Sequence, residues 1–159
     1  MDRAQRASWQ SGHKALRKGR ASAPSGIYLL TATTSGRKPL FANFRFACIV
    51  ASCFEQPLAL GTNRLLAWVL MPDHAHWLLE LGKGERLETS VGRLKAVSAR
   101  QLNDWRMAHG AVWAAAFHDH ALRREEDLLP TARYIIANPV RAGLTRRVGD
   151  YPFWNAVWL

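Results

Sequence analysis

The stretch Arg64-Leu65-Leu66-Ala67-Trp68-Val69-Leu70-Met71-Pro72-Asp73-His74-Ala75-His76-Trp77-Leu78-Leu79-Glu80-Leu81 decides the fold. Arg64 to Met71 is a continuous apolar run, short enough for a strand and suited to burial on both faces. Pro72-Asp73 makes a turn. His74 to Leu81 reads as a second strand, and a turn this short implies an antiparallel pair. Outward from this hairpin, Ile27 to Thr34 is β-branched and aromatic, is bounded by Gly26 and Ser35-Gly36, and predicts another strand. Phe41 to Phe54 is apolar at helical spacing and ends before Pro57, predicting a helix.

On the other side, Gly82 to Gly84 is a loop. Leu87, Val91, Leu94, Ser98, Leu102 and Trp105 then recur every three or four residues, one stripe of a long helix. Ala111 to Ala121 predicts a strand or extended connection through Trp113 and Phe117. Asp127 to Asn138 predicts a last helix, with Pro130 in its first turn and Pro139 as its stop. The rest, through Tyr151 and Trp154, reads as a tail with apolar anchors. The order β-α-β-β-α-(β)-α points to an α+β fold, a ferredoxin-like antiparallel sheet with helices packed on it.

At 159 residues and 48% apolar, the chain is one domain with a real core, and disorder is excluded for most of it. Its net charge of +10 favours a polyanionic partner, nucleic acid or an anionic membrane surface. The charge is uneven. Residues 1–45 carry nine basic side chains against Asp2, whereas residues 46–159 carry thirteen against eleven acids. Residues 1–26 read as a basic N-terminal extension, with SAPSG at 22–26 as a linker, and residues 27–159 as the folded domain. Cys48 and Cys53 have neither metal-site nor disulfide-framework spacing. No apolar run reaches the roughly 18 residues a membrane span needs, and the basic N-terminus lacks a signal-peptide core. The expectation is a cytoplasmic protein without a membrane partner.

His74 and His76 carry the first chemical signal. Side chains two apart on a strand share a face, so the two imidazoles form a two-point clamp for a metal ion. Taken alone, such a pair is more commonly just two exposed histidines. Tyr134 and Asn138 share a helix face at i and i+4. Of the three tyrosines, Tyr28 lies in a strand and Tyr151 sits beside Pro152, so Tyr134 has the best setting for a nucleophile. A core tyrosine and a helix-terminal asparagine are the plainer readings of the same two residues.

Three motifs in order carry a resemblance across residues 13–155. Trp68 to Leu79, containing His74-Ala75-His76, resembles the His-hydrophobic-His strand of single-tyrosine HUH transposases. Trp113 with Phe117-His118-Asp119-His120-Ala121-Leu122-Arg123 resembles their W…F-x-D-H-x-x-R stretch. Tyr134 to Leu144 (YIIANPVRAGL) resembles their tyrosine helix. Leu16 to Arg20, Pro24 to Leu30 and Arg37 to Phe41 are similar to the REP-associated tyrosine transposases within that family. One departure is Ala114-Ala115-Ala116 after Trp113, where the family often has glutamine.

The resemblance implies a single-domain HUH-type fold that cleaves and rejoins single-stranded DNA next to palindromic REP-type hairpins. Tyr134 would be the catalytic nucleophile, forming a 5′-phosphotyrosine. His74, His76 and Asn138 would hold a divalent metal, Mg²⁺ or Mn²⁺. Arg17, Lys18, Arg20, Arg37 and Lys38 would grip the DNA. The protein would be bacterial and nucleoid-associated, a monomer rather than a dimer, with single-stranded or hairpin DNA as partner and no small-molecule substrate. His120 and a metal-bound hydroxide both stand as general bases, against a structural hydrogen-bonded pair of Asp119 with His120. Two other readings compete: a non-catalytic nucleic-acid module on the same sheet, and a hydrolase using His74 and His76 with water as nucleophile.

Overall fold

The computed structural model describes residues 25–123 and 127–158. The expected extension at 1–24, with Arg17, Lys18 and Arg20, lies outside the described residues. Five strands form one antiparallel sheet in the order β4-β1-β3-β2-β5. They are β1 (Ile27–Thr33), β2 (Arg64–Met71), β3 (His74–Glu80), β4 (His118–Ala121) and β5 (Trp154–Ala156). The α+β class and the β2–β3 hairpin are as the sequence predicts. Seven of the eight β2 residues are buried, which explains a run without polar alternation.

Both faces of the sheet are covered. One receives α1 (Phe44–Cys53), the single turn α2 (Pro57–Leu60) and α3 (Leu87–Arg106). Leu30, Ala75, Trp77 and Leu79 meet Val50, Val91 and Leu94 there. The other face receives α4 (Leu128–Ile136), whose Ala132, Ile135 and Ile136 cover Leu29, Val69, Met71 and Leu78. A bulge between Leu65 and Ala67 shifts the β2–β3 register. It puts Leu66 and Ala67 together on the α4 side, with Leu65 and Trp68 on the other. Trp68 and Trp77 are core residues, both set edge-on to Phe54 at 5.3 Å.

Several boundaries differ from the sequence reading, each for a local reason. The first helix starts at Phe44, because the Asn43 side chain accepts the backbone N–H groups of Arg45 (3.0 Å) and Phe46 (3.2 Å). Leu40–Ala42 forms a separate 3₁₀ turn. Trp105, expected in the buried stripe of α3, is 52% exposed, whereas Ser98 in that stripe accepts the Trp113 indole N–H at 2.9 Å. Only His118–Ala121 of the 111–121 segment is a strand, and Trp113 makes a lone bridge to Thr34. The presumed C-terminal tail supplies β5, paired to β2. Pro139 does not stop the helical path. It sits second in one more turn, α5 (Asn138–Arg141), because a first-turn proline gives up no needed N–H.

Candidate functional site

The histidine pair is held on the α4 face of β3. His74 and His76 pair with Thr33 and Thr31 of β1, and their rings lie 5.0 Å apart at 81°. Each ring is tied through Nδ1. His74 Nδ1 is 2.7 Å from Asp73 Oδ1, and His76 Nδ1 is 2.8 Å from Thr31 Oγ1. With those Nδ1 atoms as donors, both Nε2 lone pairs are left for a ligand. Rings 5.0 Å apart suit one ion at the usual ~2.1 Å nitrogen–metal distance. The donor chemistry therefore fits a divalent cation. His76 is held neutral: desolvation lowers its pKa to about 3, with help from the charges of His74 and Arg141.

Asp73, read from the sequence only as a turn residue, orients this pair. Arg37 Nη2 lies 3.3 Å from Asp73 Oδ2, completing an Arg37–Asp73–His74 chain. Partial burial alone would raise the Asp73 pKa, but the His74 hydrogen bond and the charges of His74 and Arg37 outweigh it and lower it. Arg37, expected on DNA, is thus partly engaged with the site itself. Its neighbour Lys38 is exposed. The signal for Asp73 was present in the sequence, since it directly precedes the His-x-His pair.

Tyr134 and Asn138 do not share one regular helix. Asn138 opens α5, two residues beyond the end of α4 and separated from it by Ala137. What joins them is Arg141, which the sequence reading left without a role. Its guanidinium lies 3.9 Å from the Tyr134 ring centroid. It also donates to the Tyr134 carbonyl at 2.6 Å and to Asn138 Oδ1 at 2.7 Å. Its charge is also one of the influences that lower the His76 pKa. Asn138 makes no hydrogen bond to either imidazole among the described residues, and its Nδ2 is buried without a partner.

Tyr134 also walls a cleft of about 280 Å³ between α4 and the β1–β4 edge of the sheet, shared with His120 and Asp127. Strand alternation places His118 and His120 on the His74/His76 face and Asp119 on the opposite one.

A five-stranded antiparallel sheet bearing a His-x-His pair on the face covered by a tyrosine helix is the frame of a single-tyrosine transposase domain. The chain belongs to the IS200-like transposase family, whose model matches residues 25–135. It is 29% identical over 87 residues to the REP-associated tyrosine transposase of Escherichia coli K12, covering 55% of this chain and 50% of that protein. It is 30% identical over 112 residues to a Haemophilus influenzae protein assigned to the same group, covering 64% of each. The chain thus spans between half and two-thirds of these relatives' length. A solved REP-associated tyrosine transposase bound to a REP hairpin superposes with a TM-score of 0.64 over 85% of this chain and 79% of that one. At 21% identity that likeness is one of fold. No helix among the described residues is long and apolar enough to cross a membrane.

Proposed function

We propose that this chain cuts and rejoins single-stranded DNA beside palindromic, REP-type hairpins. The observation that carries the reading is that the histidine pair and Tyr134 lie on one face of the sheet, the tyrosine helix packing over the strands on that face. Tyr134 Oη attacks the scissile phosphorus and the P–O3′ bond breaks. The products are a 5′-phosphotyrosine and a 3′-OH that has taken up a proton. A 3′-OH attacking the phosphotyrosine reverses these steps and reseals a strand without ATP.

His74 and His76 are the residues to hold a divalent cation, Mg²⁺ or Mn²⁺, with Asn138 Oδ1 as a third donor. Such an ion supplies Lewis-acid polarisation of the phosphate. Asp73 and Thr31 fix the two ring orientations, and Arg141 places positive charge beside the nucleophile.

The test is a labelled hairpin with a single-stranded flank, incubated with Mn²⁺ and run on a denaturing gel. A covalent protein–DNA adduct is expected, and Tyr134→Phe should abolish it. Cleavage without adduct that survives Tyr134→Phe would instead establish a water-using hydrolase. Hairpin binding with neither product would leave a binding module. His76→Ala should stop cleavage while hairpin affinity stays within about threefold.

A further inference from the structure

On the side of the sheet away from the histidines, α1 and α3 pack antiparallel. Phe46 near the start of α1 meets Trp105 near the end of α3, with 6.1 Å between ring centroids. Cys53 at the end of α1 meets Gln101 further back along α3. A groove of about 370 Å³ opens to solvent at the Phe46–Trp105 end, lined by Phe44, Arg45, Cys48, Ile49 and Trp105. Phe44 is 63% exposed and Trp105 52%. Both rings are braced by another aromatic, Phe44 by Phe153 at 5.4 Å and Trp105 by Phe46. Rigid aromatics left open to water on neighbouring helices form the kind of apolar patch that marks an interaction surface.

Charge decides what covers it. Arg45 stands in the groove wall, Arg106 lies 5.8 Å over the Phe46 ring behind Trp105, and no carboxylate lines the groove. A second copy of the chain would set two arginine-edged surfaces against each other. The chain's own residues 1–24 carry six basic side chains (Arg3, Arg6, Lys14, Arg17, Lys18 and Arg20) against Asp2, so they are repelled as well. An unpaired nucleobase would bring polar edges into walls that offer only Arg45 and the Cys48 thiol, and polar groups buried without partners are costly. Carboxylates on an apolar segment suit both the arginines and the aromatic walls.

We propose that this groove docks an acidic, amphipathic segment of another protein. An aromatic or leucine side chain of that segment seats between Phe44 and Trp105, and a carboxylate beside it meets Arg45. The volume lies at the low end of the ~300–1,000 Å³ of ligand sites, which suits one or two large side chains as anchors. A groove between two antiparallel helices is also the usual seat of an amphipathic segment. The histidines and Tyr134 lie on the opposite face of the sheet, so a partner held here leaves that face open to DNA. The groove then tethers the chain to a second protein and takes no part in cutting, and the inference stands apart from the role of Tyr134.

The experiment selects displayed random peptides, about twelve residues long, on the full chain and measures the enriched ones by fluorescence anisotropy. They should carry Asp or Glu beside Phe, Trp or Leu. Trp105→Ala should weaken them at least tenfold, the loss usual for an aromatic anchor. Arg45→Glu changes only an exposed side chain, so the fold is kept. It should weaken the acidic peptide at least threefold and strengthen the same peptide remade with Lys in place of Asp and Glu. Cys48 is exposed in the groove and Cys53 is buried, so alkylation by iodoacetamide reports on the groove itself. Bound peptide should slow Cys48 alkylation at least fivefold. Selection that enriches no peptide, or only neutral or basic ones, overturns the proposal. So does an unchanged Cys48 rate, or acidic peptides whose binding survives Trp105→Ala and is therefore owed to net charge alone. Trp105-dependent self-association in sedimentation would give the groove to a second copy, and Trp105-dependent binding of oligothymidylate would give it to unpaired DNA. Either result replaces the acidic partner.

Discussion

Replacing Thr31 by valine deletes one hydroxyl and keeps the shape and β-branching of the side chain. Thr31 Oγ1 lies 2.8 Å from His76 Nδ1, and the two residues face each other across β1 and β3. A histidine that ligates through Nε2 must carry its proton on Nδ1 and needs an acceptor there. Valine offers none, so the ring loses both its tautomer bias and its orientation. Loss of such outer partners costs metal affinity about 10–100-fold in known sites. The fold should feel it little: one net hydrogen bond is worth about 1 kcal/mol, or roughly 2–4 °C in Tm at this chain length. The assay is the Mn²⁺ concentration giving half-maximal cleavage of a labelled hairpin, with direct Mn²⁺ binding followed by electron paramagnetic resonance. Thr31→Val should raise both midpoints at least tenfold, and Thr31→Ser should stay within about threefold of the parent. A Thr31→Val midpoint within twofold of the parent would refute the orientation argument and with it the metal role of His76.

Further outcomes follow from other contacts. Arg141→Lys keeps the charge but loses the planar guanidinium that lies over the Tyr134 ring while its Nη2 serves both the Tyr134 carbonyl and Asn138 Oδ1. Misplacement of the nucleophile by about 1 Å costs on the order of 100-fold in rate, so adduct formation should fall steeply while hairpin affinity, measured by anisotropy, changes by less than about threefold. Burial pushes the Tyr151 phenol up to about 12, and its Oη donates to the Leu70 carbonyl of β2. The folded state therefore favours the protonated phenol: this contribution is intact below about pH 10, the ordinary tyrosine value, and is lost as pH climbs toward 12. Urea unfolding of Tyr151→Phe against the parent from pH 8 to 12 should show a difference that shrinks across that window, and a constant difference would contradict it. At Gly61, φ is +60°, and a Cβ there would lie 2.3 Å from Glu85 Oε1 and 2.5 Å from Arg93 Nη2. Gly61→Ala should break the 2.8 Å Arg93–Glu85 pair and cost about 1–3 kcal/mol, read as a fall of several degrees in Tm.

The features legible in the sequence are those with local causes. The β2–β3 hairpin was readable because an unbroken apolar run, a Pro-Asp turn and a second strand are consecutive. The shared face of His74 and His76 follows from the two-residue strand repeat alone. The α3 stripe was readable as far as Leu102. Trp105 matched its spacing and still lies exposed, its ring set edge-on to Phe46 at 6.1 Å. Asn43 was missed as a cap because the helical pattern of apolar residues runs back through the 3₁₀ turn before it. β5 was missed because three residues carry too little periodicity to announce a strand, and only pairing with β2 makes them one.

By its residues alone, this chain determined an α+β sheet, a same-face histidine pair and a tyrosine ahead of an Asn-Pro step. Each depends on neighbours a few positions apart, where backbone geometry dictates direction. The tertiary structure decided which groups act on them. Thr31 meets His76 across 45 positions of sequence, and His120 joins Tyr134 in one cleft only because β4 adds to the sheet edge beneath α4. Arg141 reaches the Tyr134 ring because Pro139 sits in a second helical turn where the sequence alone predicts a stop. Such contacts have no period to read, because they arise from strand pairing and from the angle at which one element leaves another.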